Sequence, residues 1–500
     1  MTSLSLRDQG LAARIDVVDN HDQLYFLWKD LGFKHKTLLH FDAHSDFRWI
    51  NPVTYQNFFE SSTFKEVDNA LAAHTACRAD ISCYSGIDIG NFLYAVFRDQ
   101  MVTRWFWIVP DPIWKNPEFQ KCVWKEMLDI YRLRTGPMEA PKRFGDYIYA
   151  KILGTEVFVT SIEHLPGFDE EILLSIDLDY LTSQGLLPLP QAETFRSHLP
   201  WIWPEDIVAV LKQKKIRPSA SCISRSVEGG FTPIQYKFLG EVFRLLLAGE
   251  ALPEAYQELK RSFRLRHDGR KQEALSELES FQAEGSFRAA QFYQKAQIFY
   301  ELNRFEEAYS AFQVPAAEDS EYHSVWNSGA RAFEERHKHE EALKEHRMMR
   351  VLTPSSLEPL AGQGRFFFFE EKYDEAYTQF KEVLDKDPRH FEANFFTGSI
   401  LLKGKNFELA LPYFEKAAEV NSTHAKTRIS LAICLIQKNK MPEAKKHLRE
   451  ALRLGFYYPV TYKLLGYVYF RQKFWAKAVE SFLEYLRLTC LSLSQRLVWN

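Results

Sequence analysis

The stretch TLLHFDAHSDF, residues 37–47, decides the fold of the first half of the chain. It begins as an apolar run typical of a buried strand, and it then places an ionisable side chain at every second position. These side chains are Asp42, His44 and Asp46. Charged groups that follow a buried strand are costly unless a ligand or an ion compensates them. The stretch therefore predicts a strand that ends in a polar functional site.

Two other apolar runs end in a similar way. In EILLSIDLD, residues 171–179, the alternation of a strand puts Asp177 and Asp179 on one side. In VVDNHDQ, residues 17–23, the apolar run is followed by His21. Two like charges in an apolar run are unfavourable unless a cation offsets them. Solvated loop acids would account for one such motif alone, but motifs at separate strand ends favour a metal site.

The first 250 residues alternate short apolar runs with helical or loop segments. This order predicts an α/β domain with a largely parallel sheet. In such sheets ligands collect at the carboxyl ends of the strands, which is where the acids above are placed.

The second half of the chain repeats itself every 34 residues, and the repeat is marked by an alanine. The alanines are Ala274, Ala308, Ala342, Ala376, Ala410, Ala444 and Ala478. A small residue stands twelve positions before each of the last six: Ala296, Ala330, Gly364, Gly398, Ala432 and Gly466. Small residues at both places let paired helices approach closely. The pattern resembles the tetratricopeptide repeat and implies an all-α solenoid of about six to seven repeats, in which the first unit is the weakest.

The candidate metal ligands are two imidazoles and four carboxylates, without a thiolate: His21, Asp42, His44, Asp46, Asp177 and Asp179. This set suits two divalent ions such as Mn²⁺, with Fe²⁺ or Co²⁺ as alternatives, and the carboxylates balance their charge. Two such ions generate a hydroxide nucleophile near neutral pH. The cluster therefore predicts a metal-dependent hydrolase.

DAHSD and SIDLD resemble the D-A-H-x-D and S-x-D-x-D metal motifs of arginases and agmatinases, with a histidine upstream in the place of their first ligand. The resemblance implies a three-layer α/β/α fold with a binuclear manganese site. It assigns four ligands to one ion: His21, Asp42, Asp46 and Asp177. It also assigns four to the other ion: Asp42, His44, Asp177 and Asp179. The arginase Gly-Gly before the first histidine is absent here, and Thr182 and Ser183 replace the expected Asp-Pro.

GIDIGNFLYAVF, residues 86–97, and SRSVEGGFTP, residues 224–233, resemble a divergent branch that includes the bacterial peptide arginases. Those enzymes convert arginine side chains within a peptide to ornithine during ribosomal peptide maturation. The resemblance covers about residues 12–245. It implies hydrolysis of a guanidinium group, with release of urea, in a peptide or protein substrate.

On this interpretation, roles in the reaction are assigned to three further residues and to the ligand Asp46. Glu228 would clamp the guanidinium group with two parallel hydrogen bonds, and Asn91 would line the pocket. As the resemblance to arginase suggests, Asp46 or Asp42 would hydrogen-bond the nucleophile and pass its proton onward, and His74 would shuttle that proton. A turn residue, a helix cap and an ordinary histidine are the structural alternatives for Glu228, Asn91 and His74. His40 is predicted as a hydrogen-bonded core residue, with support of the metal ligands as the alternative.

Composition and charge limit the classes of partner and the cellular compartment that we expect. With 63 basic and 66 acidic residues and a net charge of −3, the chain has no field suited to nucleic acid or an anionic membrane. Its six cysteines form no C-x-x-C pair, which fits a reducing compartment. The N-terminus lacks the order of a secretion signal, and no apolar run reaches the length of a membrane span. We therefore expect a cytoplasmic protein.

The sequence thus predicts an arginase-like metallohydrolase domain over residues 1–250, a tetratricopeptide-repeat domain over 251–490 and a C-terminal tail over 491–500. The favoured function is hydrolysis of peptidyl arginine, with the repeats binding the peptide or its leader. A deacetylase-like amide hydrolase, or an enzyme for a small guanidino substrate, is one alternative, although the chain lacks the adjacent His-His pair of deacetylases. A non-enzymatic repeat scaffold is the other.

Overall fold

The computed structural model describes most of the chain. The described segments are residues 14–44, 92–117, 139–182, 199–227, 232–324, 339–422, 424–453 and 459–497, together with a few single positions. Among the described helices, none is both long enough and apolar enough to cross a membrane.

Eight strands form one mixed sheet in the first half of the chain. They are β1 (Ile15–Val18), β2 (Lys36–Phe41), β3 (Val102–Val109), β4 (Glu139–Phe144), β5 (Tyr147–Ile152), β6 (Thr155–Ser161), β7 (Ile172–Asp177) and β8 (Pro218–Ser224). Their order in the sheet is β1-β8-β7-β2-β3-β6-β5-β4. The pairs from β1 to β6 in this order are parallel, whereas β5 and β4 run antiparallel at one edge. The predicted largely parallel sheet is therefore present.

Helices cover both faces of this sheet. The described helices of the first half are α1 (Asp22–Asp30), α2 (Phe92–Arg98), α3 (Asp111–Trp114), α4 (Asp179–Thr182), α5 (Pro204–Gln213) and α6 (Leu239–Ala248). Trp28 of α1 donates its indole N–H to the sulfur of Cys222 at 3.4 Å. On α6, a methyl group added to Gly240 would lie 3.6 Å from Val17. Val17 pairs with Ile223, the strand neighbour of Cys222, so the two helices lie on opposite faces.

Fourteen more described helices follow α6 along the chain. They are α7 (Glu254–His267), α8 (Lys271–Glu279), α9 (Gly285–Glu301), α10 (Phe305–Glu318), α11 (Glu321–Ser324), α12 (His339–Leu352), α13 (Glu358–Phe369), α14 (Tyr373–Lys386), α15 (Phe391–Lys403), α16 (Phe407–Val420), α17 (Ala425–Gln437), α18 (Met441–Arg453), α19 (Pro459–Arg471) and α20 (Trp475–Leu497). Neighbouring helices pack in pairs, as in α13 with α14 and α15 with α16. The predicted all-α repeat region is present.

The 34-residue period reflects how each helix pair closes. All seven recurrent alanines are buried, with at most 3% of their surface exposed. A methyl group added to Gly364 would lie 2.8 Å from the Phe380 ring, and one added to Gly466 would lie 2.9 Å from Phe482. The small residues therefore let the paired helices approach closely, as the sequence predicted, and at these two places an aromatic ring of the partner helix fills the space. Ala330 lies outside the described residues.

The described residues divide into two compact units, one up to Pro354 and one from Ser355. The first unit contains the sheet together with the first repeat helices, and one apolar core runs through both. The Phe238 ring, just before α6, stacks 6.2 Å from Phe263 of α7 and lies 5.6 Å from Phe287 of α9. The change of pattern predicted at residue 250 marks where the helical repeats begin, and as a domain boundary it stays a prediction.

Candidate metal centre

Five of the predicted metal ligands lie within the described residues. They meet at the carboxyl ends of the parallel strands. His21 follows β1, Asp42 and His44 follow β2, Asp177 ends β7, and Asp179 begins α4. The strands β1, β8, β7 and β2 are neighbours and parallel, so their carboxyl ends lie together. Residues that are far apart in the sequence are thereby brought together.

Asp42 lies at the middle of the cluster and is fully buried. Its Oδ2 lies 3.3 Å from Nδ1 of His21, and its Oδ1 lies 3.8 Å from Nδ1 of His44. Each carboxylate oxygen therefore has an imidazole nitrogen of a different histidine nearby. Asp42 therefore lies between the two histidines, and its bridging role stays a prediction.

The two histidines also reach the acids of the second motif. Nδ1 of His21 lies 3.0 Å from Oδ2 of Asp177, and Nδ1 of His44 lies 2.7 Å from Oδ2 of Asp179. The His44 side chain is 20% exposed, whereas the side chains of the two acids are only 4% exposed. The cluster is thus closed on the His21 side and more open to solvent at His44.

Backbone donors hold the acids in place. The amide of His44 donates to Oδ1 of Asp42 at 2.6 Å, and the amide of Asp179 donates to Oδ1 of Asp177 at 3.0 Å. The indole N–H of Trp107, on the neighbouring strand β3, donates to the carbonyl oxygen of Asp42 at 3.0 Å. These bonds fix the loop after β2 and the start of α4, so the carboxylates are oriented before any ligand binds.

Burial and neighbouring charges shift the pKa values of the two acids of the second motif in opposite directions. Burial, with the nearby charge of Asp179, raises the pKa of Asp177 to about 7. Burial acts in the same direction on Asp179, but the neighbouring His44 outweighs it and lowers the pKa of that carboxyl group. Ionising both acids in this buried place is costly, and a divalent cation would offset that cost.

The ligand atoms fall into two groups that share Asp42. One contains His21, His40 and Asp42, and the other contains Asp42, His44 and Asp179; within each group the ligand atoms lie within 4.8 Å of one another. Carboxylate oxygens and imidazole nitrogens suit Mn²⁺, Fe²⁺ or Co²⁺. The donor set therefore fits divalent ions: of the predicted ligands, His21, Asp42, His44 and Asp179 belong to these groups, and Asp177 lies 3.0 Å from His21. His40 is a further histidine of the first group.

Four predicted site residues lie outside the described residues: Asp46, His74, Asn91 and Glu228. Their roles stay predictions. The sequence analysis missed Ser226, whose hydroxyl group donates to Oδ2 of Asp177 at 2.6 Å from the end of β8. Its only signal in the sequence is its place after an apolar run, two residues before Glu228.

Comparison with protein families identifies the repeats. Two models, both described as tetratricopeptide repeat, match residues 362–425 and 401–455. Tetratricopeptide repeats therefore occupy the C-terminal region, as the 34-residue period predicted. Both matches lie within the repeats, so the arginase-like assignment of the first half stays a prediction.

Similar proteins match over the length of a few repeats. Protein bimA of Emericella nidulans is 26% identical over 101 residues, which make up 20% of this chain and 12% of that protein. Among solved structures, MamA from Desulfovibrio magneticus RS-1 is 24% identical, with a TM-score of 0.29 over 33% of this chain and 93% of that chain. PilF of Pseudomonas aeruginosa is 18% identical, with a TM-score of 0.32 over 40% of this chain and 91% of that chain.

Proposed function

We propose that this protein is a binuclear metal hydrolase that converts arginine side chains in a peptide or protein to ornithine and urea, and that its repeats bind the substrate or its leader. The observation that carries the proposal is the buried Asp42, which lies between His21 and His44. Asp177 and Asp179 lie at the same carboxyl ends of the parallel strands. A buried set of carboxylates and imidazoles around one shared carboxylate suits two divalent cations.

The reaction needs a nucleophile, a positioned guanidinium group and a path for the leaving amine. When bound, two divalent cations would activate water for attack at neutral pH. The chain's own acids and histidines supply the ligands, and the backbone amides of His44 and Asp179 hold Asp42 and Asp177 in a fixed orientation. Because His44 is the most exposed described member of the cluster, the substrate would approach from its side.

Glu228 is the proposed clamp for the guanidinium group. It stands two residues after Ser226, and the Ser226 hydroxyl group bonds to Asp177. The described chain up to Val227 therefore leaves the sheet beside Asp177. A carboxylate at that place would match the planar guanidinium fork with two hydrogen bonds.

The repeats support a long substrate over free arginine. Tetratricopeptide arrays present extended surfaces that bind peptide or protein segments. A domain of this kind gives no advantage for a free amino acid, but it would hold a precursor peptide while one of its arginines reaches the metal centre. A peptide-binding scaffold without catalysis is the second candidate, and it is favoured by the fact that both family matches lie within the repeats.

The test is an intact-mass assay of the full chain, loaded with Mn²⁺, on an arginine-containing peptide, with free arginine in parallel. The expected result is loss of one CH₂N₂ unit from the peptide with release of urea. Asp177→Asn should abolish the reaction, whereas Asp169→Asn, which removes an exposed acid before β7, should not. An unchanged peptide with two bound ions would argue against guanidinium hydrolysis. If the chain binds no ion, the non-catalytic peptide-binding scaffold is the candidate function that stands.

A further inference from the structure

We propose that His40 is a positioning residue: its imidazole contacts the Asp42 carboxylate and thereby holds this shared group between the two ions. The inference rests on the proposed binuclear site and adds to it a residue that the arginase motif does not include. His40 is fully buried, and its Nε2 lies 3.0 Å from Oδ2 of Asp42.

The strand directs this side chain to the cluster. His40 and Asp42 are two residues apart at the end of β2, so they lie on the same face of the sheet. The register places His40 beside Trp107 on β3 and Ser175 on β7. The imidazole is therefore held on β2, between β3 and β7, two residues before the Asp42 carboxylate.

Aromatic rings surround the imidazole and fix its orientation. The Phe92 ring lies 6.2 Å from the His40 ring and nearly perpendicular to it, and the Trp105 ring lies 6.3 Å away. The His21 ring is 5.3 Å away on the other side. A histidine enclosed in this way has little freedom to turn from Asp42, so its contact with the carboxylate is held by packing.

His21 and His40 make different contacts although both approach Oδ2 of Asp42. His21 also contacts Asp177, as expected for a ligand shared with the second motif. His40 enters from the strand, on the buried side of the carboxylate. A contact there lies on Oδ2, away from Oδ1 on the His44 side, and it limits rotation of the carboxylate. Such outer contacts commonly change metal affinity by about 10- to 100-fold when removed.

The experiment compares two replacements of similar length in the full chain. His40→Gln keeps an amide donor near the position of Nε2, and His40→Met removes the donor while keeping an apolar side chain that adapts to the core. His346→Met is the control, because His346 is also fully buried but lies on α12. The stoichiometry and affinity of Mn²⁺ binding are measured by titration calorimetry, after circular dichroism has established that each variant is folded.

A positioning contact from residue 40 to Asp42 predicts that His40→Met binds one of the two ions about 10- to 100-fold more weakly. His40→Gln should stay within a few-fold of the wild type, and His346→Met should match it. Wild-type affinity in His40→Met would overturn the proposal while the binuclear site stands. Loss of one ion to the same extent in both His40 variants would also overturn it, because His40 would then be a ligand. A wild-type chain that binds no Mn²⁺ would refute the binuclear site itself.

Discussion

Asp42 shows how a single residue can decide the chemistry of a strand end. It is fully buried, yet a histidine nitrogen lies within 3.3 Å of one carboxylate oxygen, and a backbone amide donates to the other at 2.6 Å. A buried carboxylate is tolerated only when such partners or an ion compensate the lost hydration. The motif in the sequence therefore corresponds to a buried carboxylate that a histidine and a backbone amide compensate.

The titration of Asp177 allows the free-energy cost of burying its carboxylate without a metal ion to be measured. Burial and the neighbouring Asp179 raise its pKa to about 7, from an ordinary value of 3.8. The folded chain therefore holds a proton that the unfolded chain releases between these values, and the stability of the metal-free protein falls as the pH rises through this range. Asp177→Asn does not titrate, so we expect it to become more stable than the wild type from about pH 4 upward and the gap to level off above pH 7.

Thermal unfolding in the presence of a chelator, at pH 5 and pH 8, measures this gap. It should be larger at pH 8, and Mn²⁺ should stabilise the wild type but not Asp177→Asn. The matched control is Asp169→Asn, in which an exposed acid is replaced outside the site. A gap that does not change with pH would mean that Asp177 is ionised at little cost in the metal-free fold.

At the scale of single elements, the parallel arrangement of β1, β8, β7 and β2 creates the site. Parallel neighbours end at the same edge, so the motifs that follow β1, β2 and β7 meet there. The same sheet also ends in an antiparallel pair, β5 with β4, on the far side. The candidate metal centre is therefore confined to the part of the sheet where the strands agree in direction.

The helix pairs depend on small residues, and Gly364 provides a test. Because an added methyl group would lie 2.8 Å from the Phe380 ring, Gly364→Ala should force α13 and α14 apart. We expect a loss of about 1–3 kcal/mol from overpacking, more than the gain of about 1 kcal/mol in helix propensity. Hydrogen exchange measured by mass spectrometry should then be faster in these two helices.

Gly240→Ala is the control for this substitution. Its added methyl group would lie 3.5 Å from Arg225, an ordinary contact, so exchange in α6 should be unchanged or slower. The double variant Gly364→Ala with Phe380→Leu should recover part of the loss, because it reproduces the alanine and leucine found at 432 and 448 in a later repeat. Unchanged exchange in Gly364→Ala alone would show that the helices adjust without cost.

At the scale of the whole molecule, the first repeats belong to the same compact unit as the sheet. Besides the rings of Phe238 and Phe263, Lys237 forms ion pairs with Asp319 and Glu321, each with an N–O distance of 2.5 Å. Gln297 on α9 donates its side-chain amide to Gln235 at 3.1 Å. The α/β half thus has a packed boundary with the first helices of the solenoid.

Truncation tests this arrangement. A chain of residues 1–354 should remain soluble and keep its secondary structure, whereas residues 1–250 should associate, because the apolar surface around Phe238 would be exposed. Size-exclusion chromatography and circular dichroism distinguish the two. Equal behaviour of both fragments would mean that the sheet does not need the helices. If the longer fragment folds, removal of residues 355–500 alone becomes the proper test of substrate capture by the later repeats.

The sequence by itself determined the features that depend on local pattern. The 34-residue period revealed the repeats because close helix packing demands small residues at fixed places, and each recurrent alanine is buried. Alternation within strands showed which ionisable residues share a face, so His21, Asp42, His44, Asp177 and Asp179 were identified as a possible cluster before any distance was known.

Only the tertiary structure decided which groups meet. Strand order is set by long-range pairing, so no local pattern indicates that β8 lies between β1 and β7 and brings Ser226 to Asp177. The sequence predicted His40 as a core residue, and its distance to Asp42 depends on the rings packed around it. The joining of the first repeats to the sheet was likewise decided by packing, because burial of the Phe238 surface needs helices that lie later in the chain.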